Sequence, residues 1–411
     1  MTDPPPRTLR DRSRSRTLVL ALTALAACVV MYVLFDWFRA SRIWPEPAPP
    51  ELSRLAPVMA PEADAAKLLG VAIEGAKTLD RPALKTVLDL PLRVKVAPRV
   101  PEPRNPAVDN ALDDFLGTSG VQLPIPSIAD PGPDYTYAIG LYELRAGRAI
   151  WRWLSGNTRG AWQDMAAVIE LGQRIQHGAG SMLVAAIGLA IERRALGLIE
   201  NVLTSGTEAW GPGMGAVAVA VERGMKRPPA VEAAIVAECI FLEDAYRTLG
   251  HSGQRPAERL DGEPVDSSYQ FDLVKTRAFA RAQCYRWLKA ARLPPHQRNW
   301  PAAIHLFRDA PTVGRYFDNP VGRVLIELTN VPWQRFIEDS DHVRASRARL
   351  RLMLALAQWR ASNAGTNPDA LDALVPDYLK TVPVNVVSGR SFDYDPQSGL
   401  IAELVRAEET P

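Results

Sequence analysis

Glu238, Glu243, Asp244 and His251 fall on one predicted helix and its end, and are the chain's nearest approach to a metal-ligand set. Carboxylates and an imidazole at that spacing could converge on a divalent cation. The apolar positions between them describe a buried stripe, however, which makes the polar four a solvated face. The other histidines, His177, His296, His305 and His342, have no histidine partner at helical spacing, and no HExxH pattern occurs. A nucleophile elbow of the G-x-S-x-G type is also missing. No catalytic, cofactor-binding or metal residue is therefore assigned, and no cofactor is expected. Triad partners meet in space rather than in sequence, which leaves one enzymatic alternative open. It is a hydrolase of cell-wall or exported material whose site assembles only in the fold, with Glu143, Glu192, Glu238 and Glu243 as its candidate acids.

Two glycine-rich stretches fail as phosphate cradles. Gly70-Val-Ala-Ile-Glu-Gly75-Ala-Lys77-Thr78 resembles a phosphate loop, but Ala76 separates the second glycine from the lysine and the segment itself has helical spacing. Gly211-Pro212-Gly213-Met214-Gly215 follows a helix and contains proline, so it reads as a helix break and not a dinucleotide fingerprint.

The elements that would position any site are mainly helical. From Asp134 to Gly250 apolar residues recur at three- and four-residue spacing. Tyr135 to Leu154 forms one predicted helix, Ala161 to Gln176 the next, and Ser181 to Leu203 a third with Val184, Ile187, Ile191, Ala195, Leu198 and Val202 on its stripe. The apolar run Met182 to Ile191 is too short to span a bilayer and is expected in the core. A fourth helix precedes Arg227-Pro228-Pro229, and a fifth aligns Ile235, Cys239, Leu242, Tyr246 and Leu249. Glycine-ended pairs of this kind suggest a stack of helical hairpins like the tetratricopeptide architecture, although no clean repeat emerges. Such a domain could close an apolar ligand cavity around Trp151, Trp153 and Trp162. Further helices are expected before Leu293-Pro294-Pro295, after the cap pair Asn319-Pro320, and from Arg335 to Ser362. Asn367 with Pro368 should cap another.

The N-terminus has a different character. Thr17 to Phe38 is apolar with Asp36 as its one charge, and at 1.5 Å per residue it reaches about 33 Å, enough for the hydrocarbon core. Arg7, Arg10, Arg12, Arg14 and Arg16 outweigh Asp3 and Asp11 upstream, which favours this end inside and the remainder exported. A cleaved signal peptide and a lipoprotein anchored at Cys28, through Leu25-Ala26-Ala27-Cys28, are the rival readings. All three export the same domain.

The expected organisation is a basic cytoplasmic tail (1–16), a transmembrane helix (17–38), a proline-rich linker (39–61), a short helix with an irregular proline-rich segment (62–133), a helical domain (134–362) and a C-terminal helix-turn-hairpin module (363–411). Proline, at 35 residues, is concentrated before residue 135 and argues there for irregular chain. The net charge of +2, without basic stripes interleaved with aromatics, excludes a nucleic-acid partner. Of the three cysteines, Cys239 and Cys284 each lie on an apolar stripe, where free cysteine acts as a small hydrophobe. A disulfide between them would require their helices to pack at those positions.

The tail carries a family resemblance. Leu350 to Arg360, Gly365, Asn367-Pro368, Leu371, Leu374-Val375-Pro376, Tyr378-Leu379, Val382-Pro383 and Ser388-Gly389 through Phe392 and Tyr394 form its pattern. With the helical stretch around Met165 to His177 and Asn319-Pro320, this resembles uncharacterised single-pass, membrane-anchored bacterial envelope proteins. The tail is also similar to the C-terminal region of the type II secretion major pseudopilin, where the resemblance implies a calcium-binding turn. Here Pro383-Val384-Asn385 stands in place of an aspartate-proline pair, leaving Asp393 and Asp395 as the remaining ligands. The whole helical domain separates anchor from tail, which argues against pilin assembly. The function expected is a non-catalytic binding or scaffolding protein of the envelope, held to membrane lipid through residues 17–38 and partnered by another envelope protein.

Overall fold

The computed structural model describes residues 63–92, 100–118, 121, 123–125, 133–205, 211, 213–227, 229–252, 271–301, 319, 322, 325–326 and 332–402. The expected anchor at 17–38 with Cys28, the linker 39–61, residues 93–99 of the proline-rich segment, the loop beyond Ser252, His305 and Pro320 lie outside the described residues. Among those described, no helix is long and apolar enough to cross a membrane. The chain is mainly helical and divides into two compact units.

The larger unit holds Glu51–Asp244, Cys284–Pro301 and Pro332–Pro411. It opens with α1 (Ala63–Ala76), α2 (Arg81–Leu88) and α3 (Pro106–Gly117). The last two are more helix than the proline content suggested. Asp80 and Asn105 cap them, accepting hydrogen bonds from Ala83 N at 3.1 Å and Val108 N at 3.3 Å, and proline occupies the first turn of each. The prolines there start helices, because a first-turn residue has no N–H bond to lose.

A single-turn 3-10 segment, Tyr135–Tyr137, leads into α4 (Ala138–Leu154). It is followed by α5 (Thr158–His177), α6 (Met182–Thr204) and α7 (Met214–Lys226). The hairpin order is clear in the packing: α4 lies on α5, α5 on α6, and α7 on α5. Every member of the stripe predicted on α6, from Val184 to Val202, is buried. Asn157 and Ser181 cap α5 and α6 through Gly160 N and Val184 N. Gly213 precedes α7 at φ 101°, a left-handed turn that only glycine adopts freely, which realises the predicted helix break.

Next come α8 (Ala230–Ser252), α9 (Leu273–Arg292) and the 30-residue α10 (Trp333–Ser362), which packs on both α6 and α7. Cys239 of α8 and Cys284 of α9 are joined by a disulfide, with Cα atoms 6.3 Å apart, which answers the pairing that the sequence left open. Their helices do pack at those positions, and Glu232 pairs with Arg292 at 2.8 Å in the same unit.

The tail is built on α10 and not apart from it. Leu371, Leu374, Leu379, Phe392 and Ile401 bury themselves on Ala348, Leu352, Ala355 and Leu356. Two short antiparallel hairpins follow, β1 (Val384–Asn385) with β2 (Arg390–Ser391), and β3 (Asp393–Asp395) with β4 (Leu400–Ala402). Phe392, between β2 and β3, is buried in this cluster, and Tyr394 of β3 packs partly against it. Asn367 caps no α-helix. Only a 3-10 turn, Leu371–Leu374, forms, and Asn367 instead accepts from Arg360 Nε at 2.6 Å and donates to the carbonyls of Pro396 and Gln397 in the β3–β4 turn.

The smaller unit contains Ala245–Gln283 and Ala302–Val331. Buried Asn319 organises it, accepting from Asp272 N at 2.8 Å and Gly322 N at 3.2 Å and donating to Thr276 Oγ1 at 2.9 Å. The bond to Gly322 is the capping contact expected of this asparagine.

Candidate functional site: a polar knot beside an arginine-rimmed cavity

The crossing of α5 and α6 depends on two glycines. A Cβ on Gly172 would lie 2.7 Å from Glu192 N, and one on Gly188 would lie 2.6 Å from Gln176 N. Bare backbone at both places lets the helices approach until Gln173 and Gln176 of α5 reach Glu192 of α6. Glu192 is completely buried, and it accepts from Gln173 Nε2 at 3.0 Å and Gln176 Nε2 at 2.5 Å.

Arg347 of α10 completes the arrangement. Its Nε and Nη2 each donate to Glu192 at 2.6 Å, and its Nη1 donates to the Gly224 carbonyl of α7 at 3.2 Å. Three helices thus meet on one carboxylate, and Arg347 links a fourth, α7, to it. Burial alone would raise the Glu192 pKa, but the Arg347 charge and the donated hydrogen bonds outweigh it and hold the carboxyl below its ordinary value. A buried pair with every donor placed is the arrangement in which Coulomb attraction offsets desolvation.

A second charged cluster ties α4 to α5 and α3. Arg145, Arg148 and Arg152 rise along one face of α4 onto Asp164, with Arg148 Nη2 at 2.6 Å and Arg152 Nη1 at 2.9 Å from that carboxylate. Arg148 also reaches Asp109 at 2.8 Å.

The cavity lies between α6 and the first half of α10, with a volume of about 530 Å³. Met182, Ala186, Leu189 and Ala190 wall one side, Phe336 and Val343 the other. Ala186 and Ala190 are four apart, hence one above the other on the helix, and their small side chains leave the space open. Arg193, Arg194, Arg335 and Asp339 form the rim. Arg193 and Asp339 are 3.7 Å apart and both solvated, a pair of little energetic weight. Arg194 lies 6.0 Å from the Tyr142 ring centre, and neither it nor Arg335 has a carboxylate partner among the described residues. The rim therefore carries more positive than negative charge over an apolar interior.

The candidate acids go to separate partners. Glu143 takes Arg81 at 2.7 Å, Glu192 takes Arg347, and Glu238 accepts from Met182 N at 2.9 Å. Burial raises the Glu238 pKa, and that one hydrogen bond only partly offsets it. Among the described residues no three histidine, cysteine or acidic side chains form a group that could hold a metal. Asp395 is occupied by its own turn, accepting from Gln397 N and from Ser398 N and Oγ. Trp153 and Trp162 touch edge to face at 5.6 Å and are buried among the core residues, and neither lines the cavity between α6 and α10.

Glu192 was a candidate acid of the enzymatic alternative, and the structure places it at the centre of the knot, bonded to Arg347, Gln173 and Gln176. The available signal was glycine at 172 and 188, placed to face each other across a hairpin. No family model, no curated protein and no solved structure matches the chain.

Proposed function

We propose that the chain is a non-catalytic binding protein of the bacterial cell envelope, anchored by residues 17–38 and exporting its helical body, whose ligand is an amphiphile with an acidic head. The cavity between α6 and α10 carries this reading. Its size falls in the range of ligand pockets, its walls are aliphatic and aromatic, and its polar groups are confined to the rim. An acyl chain would bury against Ala186, Ala190 and Phe336, and a carboxylate or phosphate head would meet Arg194 and Arg335. The disulfide supports export, because such bonds persist in oxidising compartments. Glu192 and Arg347, deeper in the bundle, are already bonded to each other and to Gln173 and Gln176, as structural groups are, and this favours binding over catalysis.

The test uses the purified full chain with palmitate, lysophosphatidate and uncharged hexadecanol as probes. Saturable binding of an acidic probe is expected, blocked by Ala186→Trp and weakened about tenfold by Arg335→Gln, the loss of one charged hydrogen bond. Preference for the carboxylate or the phosphate identifies the head. Equal binding of hexadecanol, or indifference to Arg335→Gln, overturns the acidic-head reading. Failure of all three probes, with a photocrosslinker at Ala190 joining an envelope protein, would replace the amphiphile by a partner's side chains.

A further inference from the structure

A smaller cavity of about 220 Å³ lies between the C-terminal end of α7, the middle of α10 and the chain just before and through β1. Arg227, Arg344 and Arg347 face it, with Gly224, Pro229 and Val384. The three arginines differ in what they have left to give. Arg347 is consumed by Glu192 and the Gly224 carbonyl. Arg344 reaches Asp341 at 3.3 Å, but that carboxylate is also held by Arg298. Arg227 has Nη1 shut away from water with no hydrogen-bond partner at all.

The charge balance around Arg227 is uneven. Glu170 is already bonded to Arg174 at 3.0 Å and Arg223 at 2.6 Å. Among the described residues, Arg174, Arg223, Arg227, Arg298, Arg344 and Arg347 thus share Glu170, Glu192 and Asp341 as their carboxylates. A buried cationic donor without an acceptor costs free energy, and folded proteins rarely leave one so. Burial first, then Arg174 and the other neighbouring arginines, lower the Arg227 pKa despite Glu170.

We propose that this cavity is a binding site for a small phosphate-like dianion, inorganic or as a compact phosphomonoester, with the Arg227 and Arg344 guanidinium groups, both on its lining, as donors. The chemistry fits in three respects. The surplus of guanidinium over carboxylate favours a dianion. The planar guanidinium fork matches tetrahedral oxyanions. The volume admits a phosphate with a few attached atoms but not a long chain. Arg347, fixed by Glu192, would hold the wall in place, so the knot positions this site without touching the ligand. This site is separate from the α6–α10 cavity and stands whether or not an amphiphile binds there.

His177 supplies an internal reporter. It is largely buried, its Nε2 has no partner, and its pKa is pushed down to about 4, first by burial and then by the charges of Arg227 and Arg347. An anion seated on Arg227 would cancel part of that repulsion and raise the His177 value.

The experiment titrates the purified full chain with inorganic phosphate against chloride at constant ionic strength, following thermal unfolding and the histidine NMR signals. Saturable stabilisation is expected in millimolar phosphate, together with an upward shift of the His177 titration. Arg227→Gln should weaken phosphate about tenfold or more and abolish the His177 response, because it removes a charged hydrogen bond. In phosphate-free buffer the same variant should unfold later than the parent, since it deletes an unpaired buried cation. Arg344→Gln should give an intermediate loss and serves equally if Arg227→Gln does not fold. Arg335→Gln, at the other cavity, should bind phosphate as the parent does. Absence of a saturable phosphate effect, or an undiminished effect in both Arg227→Gln and Arg344→Gln, overturns the proposal.

Discussion

Glu192 and Arg347 stand 155 residues apart in the chain and meet in a two-pronged ion pair, 2.6 Å on each prong, with the carboxylate fully buried. Gln173 and Gln176 supply the remaining donors, and the Gly224 carbonyl takes the outer guanidinium nitrogen. The bundle's second hairpin, α7 and the long final helix are therefore tied at a single point. Removing one partner leaves an uncompensated charge in the interior.

Arg347→Met should accordingly cost about 3–5 kcal/mol, measured as a fall in the urea midpoint at unchanged slope. The double variant Glu192→Met with Arg347→Met should recover much of that loss, because neither charge then remains buried. A single variant within about 1 kcal/mol of the parent would show that the pair is replaced by water and not buried as described.

How far the sequence could be read follows from this pair. Val184, Ile187, Ile191, Ala195, Leu198 and Val202 announced α6 because their spacing is local, and the structure buries all six. Glu192 sits inside that same stripe, and nothing local distinguishes a buried glutamate from one that ends an apolar run. Its partner arrives from α10, beyond the reach of any periodicity. The proline-rich segment failed for another reason. Asn105-Pro106 is the same cap-and-start pair that was recognised at Asn319-Pro320, but surrounding prolines outweighed it. The cavities were illegible because a void is a property of several helices together. Ala186 and Ala190 indicate small side chains, not whether a neighbour fills the space.

Gly188→Ala should destabilise by about 1–3 kcal/mol, the range for forcing atoms into a close-packed crossing. The added methyl would meet Gln176 N at 2.6 Å and the Gly172 carbonyl at 2.8 Å, both backbone atoms that cannot swing aside. Gly197, nine residues later on the same helix, has nothing within 4 Å of its Cβ position. Gly197→Ala should be neutral or stabilise by up to about 1 kcal/mol through helix propensity alone. Equal effects of the two in thermal unfolding would contradict the close crossing.

The Cys239–Cys284 bond closes a segment with a sequence separation of 45. Loop-closure entropy for that length assigns it about 4 kcal/mol of stabilisation. Reduction under native conditions, or Cys239→Ala with Cys284→Ala, should lower the melting temperature of the full chain. A protein isolated from its own compartment should show no reactive thiol from this pair until unfolded and reduced. Free thiols at both positions in freshly isolated protein would remove the support the disulfide gives to export.

His177 makes stability depend on pH in a definable window. Its pKa lies at about 4 in the folded chain against 6.5 ordinarily, through burial and then the charges of Arg227 and Arg347, with Glu192 acting the other way. Between those values the unfolded chain binds a proton that the folded chain refuses, so stability falls as pH drops from 6.5 towards 4. At one pKa unit per 1.36 kcal/mol, the loss across the window is about 3 kcal/mol. Glu192 acts lower down. Its folded pKa is depressed, so its contribution is present above the ordinary 4.5 and fades only as pH falls through the folded value. The two groups can be separated by substitution. His177→Gln should flatten the urea midpoint between pH 6.5 and 4.5 while leaving the steeper loss at lower pH. A parent midpoint that is already flat across that interval would mean that His177 takes up its proton in the folded state, against the repulsion of both arginines.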